Sequence, residues 1–219
     1  MLKHIPTRPL LAAIALSLSA CAGPDPVSYG GLASSSQLKP NRADESGHIP
    51  FRYSSHADLG RYSAAILDPV VLYAGPDNQL GDLSAEDRAD LAAYMQTRFT
   101  AALAKRFRLA AGADSETLRI KLTLTGAATN TAVASTFTHF DLAGNLYNGI
   151  QAVRGGEGMM AGSVSYAVEI FDARSNRLLE AFITKQYPGA LNIGASFGSL
   201  AAAETGIDKG ADALAEMLK

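Results

Sequence analysis

Few residues in this 219-residue chain are typed and spaced for chemistry, and the first is a solitary cysteine, Cys21. A lone thiol has no intramolecular disulfide partner and cannot join other thiolates in a zinc site. Gly194-Ala195-Ser196-Phe197-Gly198 matches the G-x-S-x-G turn of a serine hydrolase. In that hydrolase fold the general-base histidine follows the serine. Here His4, His48, His56 and His139 all precede Ser196, so a glycine-rich entry to the last helix is the better account. Arg154-Gly155-Gly156-Glu157-Gly158 suggests a phosphate cradle but lacks the Gly-Lys-Ser/Thr ending that reaches phosphate and metal. The histidines form no His-x-x-x-His pair, and neither a metal site nor a cofactor is expected. Glu86, Asp87 and Asp90 crowd the start of a helix, where its positive end already accounts for them. Asp68, the only acid in an apolar strand, is expected to make a local turn or backbone contact ahead of Pro69. No catalytic residue is assigned.

Cys21 has a more specific setting. Residues 1–8 are short and basic, residues 10–18 (Leu-Leu-Ala-Ala-Ile-Ala-Leu-Ser-Leu) are mostly apolar, and Ser19 and Ala20 are small. That is the three-part pattern of a secretory signal. Its apolar run is about half the roughly 20 residues needed to cross a bilayer as a helix. Leu18-Ser19-Ala20-Cys21 resembles the lipobox of bacterial lipoproteins, which implies cleavage after Ala20 and lipid on Cys21. Two or more acyl chains anchor stably where one binds marginally. Ala22 stands where an inner-membrane retention signal would place Asp, so the expected address is the outer membrane, facing the periplasm.

Loss of residues 1–20 removes Lys3 and Arg8, leaving 17 basic against 21 acidic side chains, a net charge of −4. A mildly acidic chain is a poor nucleic-acid binder, since phosphate contacts need clustered Lys and Arg. Membrane lipid, through Cys21, and an envelope protein are the expected partners.

The remaining residues must build a framework. Residues 21–58 are rich in Gly, Pro, Ser, Asp and Asn and read as a lipid-anchored tether, free or lying along the domain surface, with the globular domain at 59–219. A flexible linker of about 35 residues would reach roughly 30 Å root-mean-square. Tyr62–Tyr73 reads as a strand with an edge or bulge at Pro69, which cannot donate to a ladder. Ser84 caps a long helix whose Leu91, Met95, Phe99, Leu103 and Phe107 recur every four residues. Leu118, Ile120, Leu122 and Leu124 alternate with polar residues as a half-buried strand. Val164, Tyr166, Val168 and Ile170 do the same, and with Leu178–Tyr187 they predict a hairpin. A last helix over Leu200–Leu218 buries Ile207, Ala211, Leu214 and Leu218, and Gly206 and Gly210 each weaken it by about 1 kcal/mol. These elements predict one α+β domain: a mainly antiparallel sheet with a long helix and a C-terminal helix packed on one face.

Residues 127–160 are long for a loop and contain two short amphipathic patterns: Val133, Phe137 and Phe140, then Leu146, Ile150 and Val153. They either pack on the sheet or present Phe137, Phe140, Leu146 and Ile150 as an apolar surface for a partner. The rival reading is a carrier or enzyme pocket beneath them, with His139, Asp141 and Tyr147 as its polar groups.

Several short stretches in order resemble the bacterial lipoprotein family of domain of unknown function 3313. They are Ser36-Gln37-Leu38-Lys39-Pro40, Asp58-Leu59, Arg61-Tyr62, Asp68-Pro69-Val70, Leu83-Ser84-Ala85-Glu86-Asp87, Gly162-Ser163-Val164 and Val168-Glu169-Ile170 leading to Asp172. None is a catalytic motif, and the resemblance implies no known activity or functional residues. The expected function is a non-enzymatic binding or accessory module of the cell envelope.

Overall fold

The computed structural model describes residues 24–81, 83–129, 162–189 and 199–219. Among these, eight strands form one sheet: β1 (Lys39–Pro40), β2 (Phe51–Ser54), β3 (Ala64–Leu67), β4 (Val71–Leu72), β5 (Arg108–Leu109), β6 (Thr117–Ala128), β7 (Ser163–Asp172) and β8 (Leu178–Gln186). Two helices cross one face, α1 (Ala85–Ala104) and α2 (Ala201–Met217). The spatial order is β1-β2-β8-β7-β6-β3-β5, with β4 also beside β6. Ladders from β1 to β6 are antiparallel, while β3, β4 and β5 join in parallel. The fold is α+β, as the periodicities predict.

The apolar positions of the alternating strands are buried as their sequence requires, but the polar positions of β7 are buried as well, against the half-buried reading. Leu118, Ile120, Leu122 and Leu124 of β6 and Val164, Tyr166, Val168 and Ile170 of β7 are each at most 1% exposed. They meet Leu91, Met95, Phe99, Leu103 and Phe107 in a single core. Ser84 caps α1 by accepting the Asp87 N–H at 3.0 Å, which satisfies one of the orphan donors of the first turn. Arg98 and Tyr94 of α1 both reach Asp208 of α2, at 2.5 and 3.0 Å, and join the helices at their rim.

Gly206 and Gly210 have a purpose that helix propensity hides. A Cβ on Gly206 would lie 2.8 Å from the Gln186 carbonyl oxygen and from Val164 Cγ1. A Cβ on Gly210 would fall inside the Tyr166 hydroxyl. The two glycines let α2 descend onto β7 and β8, so close packing is gained where intrinsic helicity is lost.

Two sequence expectations need correction. The strand expected over Tyr62–Tyr73 is two short ones, because Asp68-Pro69-Val70 leaves the ladder and β4 resumes pairing at Thr123. The boundary at residue 59 moves as well. Residues expected as tether over 21–58 include β1 and β2, and β2 pairs with β8 from Phe51↔Ile183 to Ser54↔Glu180. Tyr29, with 0% exposure, and Leu32, with 6%, lie on the face of the sheet opposite the helices, against Tyr73, Ala167 and Ile183. Isolated apolar residues separated by Gly, Pro and Ser give no period, so this covering segment is invisible to pattern reading.

Gly210→Ala is expected to lower stability by about 1–3 kcal/mol in urea denaturation, since overlap with Tyr166 outweighs the gain in helix propensity. Adding Tyr166→Phe should recover part of that loss; no recovery would show that the hydroxyl is not what the glycine accommodates.

Candidate functional site

The face away from the helices carries the polar side chains that alternate with the core residues. Lys121 and Thr123 on β6 face Glu169 and Ala167 on β7 across the ladder. This face is not simply wet. Residues 29–38 fold over it, and a clasp fixes their path. Tyr73 Oη donates to Asp77 Oδ1 at 2.7 Å and accepts the Gly31 N–H at 2.9 Å. Tyr29 Oη donates to Gln79 Oε1 at 2.7 Å, and Gln79 Nε2 donates to the Asp25 carbonyl at 2.9 Å. The Tyr29 and Tyr73 rings meet edge-to-face at 5.2 Å. Tyr29 holds φ at +43°, a conformation that this burial and bonding over-determine. The Tyr73 hydroxyl and the Gly30 N–H hold the Asp77 carboxyl below its ordinary range.

Between this segment and β4 lies a groove of about 420 Å³. Its floor is Lys121 and Thr123, one wall is the backbone of residues 31–33, and the other is Val71 to Gly75. Glu169 stands at the base of the first wall and is 4% exposed. The Ser34 N–H donates to its Oε1 at 2.6 Å. Among the described residues nothing hydrogen-bonds the other oxygen, and no ion pair joins Glu169 to Lys121. The Lys121 ammonium instead sits over the Phe171 ring, 5.1 Å from its centroid. Val71 and Leu72 form an apolar lip, 56% and 36% exposed. A second, smaller opening of about 220 Å³ lies on the helix side beside α2, between Ile49, Phe182, Gly210 and Met217, and is mainly apolar.

Two carboxylates that could suggest catalysis are structural. Asp172 accepts from the Ser175 N–H and hydroxyl, each at 2.8 Å, and from Tyr62 Oη at 2.8 Å, with Arg61 at 3.5 Å. The Ser175 backbone bond leads these effects, which together hold its carboxyl down to about 2. Its work is to close the β7–β8 turn and pin Tyr62, so the perturbation carries no catalytic sense. Asp68 has a partner beyond the expected turn or backbone contact: Arg119 Nε donates to both its carboxylate oxygens at 3.0 and 2.9 Å. Residues 68–70 form no turn; the Asp68 N–H donates to the Ile120 carbonyl at 2.9 Å and the cross-strand charge pair adds to that backbone contact.

The other sequence candidates fall outside the described residues: Cys21, Phe137, Phe140, Leu146, Ile150, the alternative trio His139, Asp141 and Tyr147, and Ser196 of the G-x-S-x-G stretch. The long segment itself begins later than expected, since Ala127 and Ala128 still pair with β7. Among the described residues no three His, Cys, Asp or Glu side chains gather as a metal cluster, and no helix is long and apolar enough to cross a membrane. Sequence reading missed Glu169, which looked like an ordinary wet position of an alternating strand.

The match that defines the protein's class runs over residues 28–214, to the family described as protein of unknown function DUF3313. The chain belongs to that family. Its limits agree with the structure in including β1, β2 and the covering segment. No curated protein matches the chain. Among solved structures, the PelC dodecamer of Paraburkholderia phytofirmans is similar at 12% identity and a TM-score of 0.36, over 74% of this chain and 94% of that one. A DUF330 protein of Xanthomonas campestris is similar at 8% identity and 0.37, over 74% and 87%. A DUF4136 protein of Bacteroides thetaiotaomicron gives 14% and 0.34, over 76% and 93%.

The Asp172 carboxyl titrates below its unfolded value of roughly 3.9, so its contribution is full above pH 4 and disappears as pH falls through about 2. Asp172→Asn is expected to cost about 1–2 kcal/mol at pH 7, after allowance for water near the turn, and to flatten stability between pH 4 and 2. Chemical denaturation across that window checks it; an unchanged slope would remove Asp172 as the titrating group.

Proposed function

We propose that this protein is a lipid-anchored lipoprotein of the outer membrane, facing the periplasm, and a non-enzymatic binding module of the envelope. The observation that carries the reading is Cys21 at the end of an apolar signal-like run, followed by Ala22. The fixed end of the domain supports it and alters its meaning. The Asp25 carbonyl is already bound to Gln79. Four residues of chain extend at most about 14 Å. The anchor therefore gives little reach and holds the domain close to the lipid surface, in place of the long flexible tether that composition suggested. The groove walled by residues 31–33 then opens near that surface, where a neighbouring envelope component is presented to it.

In a Gram-negative host, the full chain is expected to take up labelled palmitate and to sediment with outer membranes. Exchanging residues 1–21 for a cleavable secretory signal without the cysteine should abolish the label and release a soluble periplasmic protein. Ala22→Asp should move the labelled protein toward the inner membrane. An unlabelled full chain, or one that stays with membranes after the exchange, would end the lipid-anchor reading.

A further inference from the structure

The groove holds one acidic contact. A carboxylate oxygen that no protein donor takes and that faces a cavity is free to accept from whatever enters it. Glu169, at 4% exposure, has its Oε1 satisfied by Ser34 and nothing on its second oxygen among the described residues. Lys121, directly opposite on β6, does not serve it; its ammonium is held by the Phe171 ring. Beside this carboxylate the lip of Val71 and Leu72 is apolar and exposed, and Thr123 supplies a floor hydroxyl. A charge-accepting base next to an apolar wall fits a cation carried on a hydrocarbon stem, which leaves its stem on the wall and brings its charged head to the acid. One carboxylate is too few oxygen ligands for a divalent metal ion.

We propose that this groove binds an alkylammonium or guanidinium group on an apolar stem, with Glu169 taking the charge and Val71 and Leu72 the stem. The chemistry is that of a lysine or arginine side chain on an extended segment of a partner protein, and also that of a free diamine. The inference deepens the binding-module reading and rests on it, but not on the lipid anchor. Lys121 sets the affinity from the opposite side: its ammonium competes with the incoming cation, so the site is weaker than Glu169 alone would make it.

The test uses the chain secreted from residue 22, isotope-labelled, and two probes: agmatine, and a capped pentapeptide with one arginine between valines. Titration by NMR is expected to shift the amides of Val71, Leu72 and Thr123 with at least one probe. Glu169→Gln keeps the oxygen that accepts from Ser34 and removes the charge, so the protein should stay folded and bind at least about tenfold more weakly. Lys121→Met should tighten binding by about two- to fivefold, as expected from losing a like charge in a part-exposed site. A peptide that binds well above agmatine assigns the site to a protein partner, and equal binding assigns it to free amines. Binding of neither probe, or affinity unchanged in Glu169→Gln, overturns the proposal. Loss of binding in Lys121→Met, with capture of the glutamate analogue of the peptide, would make it an anion site and overturn it equally. Fractionation of the palmitate-labelled chain reads the anchor separately, so the two failures cannot be confused.

Discussion

Every one of the ten residues of β7 is buried, polar ones included, and the rest of the structure follows from that constraint. A strand hidden on both faces needs a cover on each. The helices form one cover and can approach because Gly206 and Gly210 carry no side chain. The other is a segment of turns, residues 29–38, that precedes and leads into the edge strands β1 and β2. It brings backbone N–H groups to a face that carries Glu169 and Ser165, where a layer of apolar helices would have stranded them. The buried charge on β7 and the irregular cover above it are one solution: the carboxylate needs a donor, and an irregular backbone has donors to spare.

Periodicity makes the helical half of the molecule readable. The four-residue stripe from Leu91 to Phe107 and the alternation in β6 and β7 are long enough to state element type and the face that meets the helices. The N-terminal cover fails that reading because Tyr29, Leu32, Leu38 and Phe51 are anchors without a repeat, placed by tertiary contacts alone. β4 and β5, at two residues each, are too short to carry any pattern. The candidate site suffers most. Glu169 sits where an alternating strand should face water, and only the distant Ser34 shows that it does not. The family-like stretches gain meaning in the same way, for Arg61-Tyr62 and Asp172 are remote in sequence and meet through a hydrogen bond and an ion pair.

The two sides of the sheet end differently. β1 closes one side with Lys39 and Pro40, a charge and a residue without an N–H, which is the usual protection of an edge. On the other side Val71, Leu72 and Leu109 are all large, apolar and exposed. The groove opens on this second side, so its lip and the unprotected edge are parts of the same surface. An occupant of the groove would cover apolar area that is otherwise left in water.

The pairing of β2 with β8 also sets a clock. The chain is made from its N-terminus, and β2 has no ladder partner but β1 until β8, close to the end, has been synthesised. Contacts so far apart in sequence close slowly. The ladders that join β3, β4, β5 and β6 have all their residues once Ala128 is made, so that side of the sheet is available first and the β2 side last. The side that carries β1 and β2 gains its final shape only when β8 has arrived.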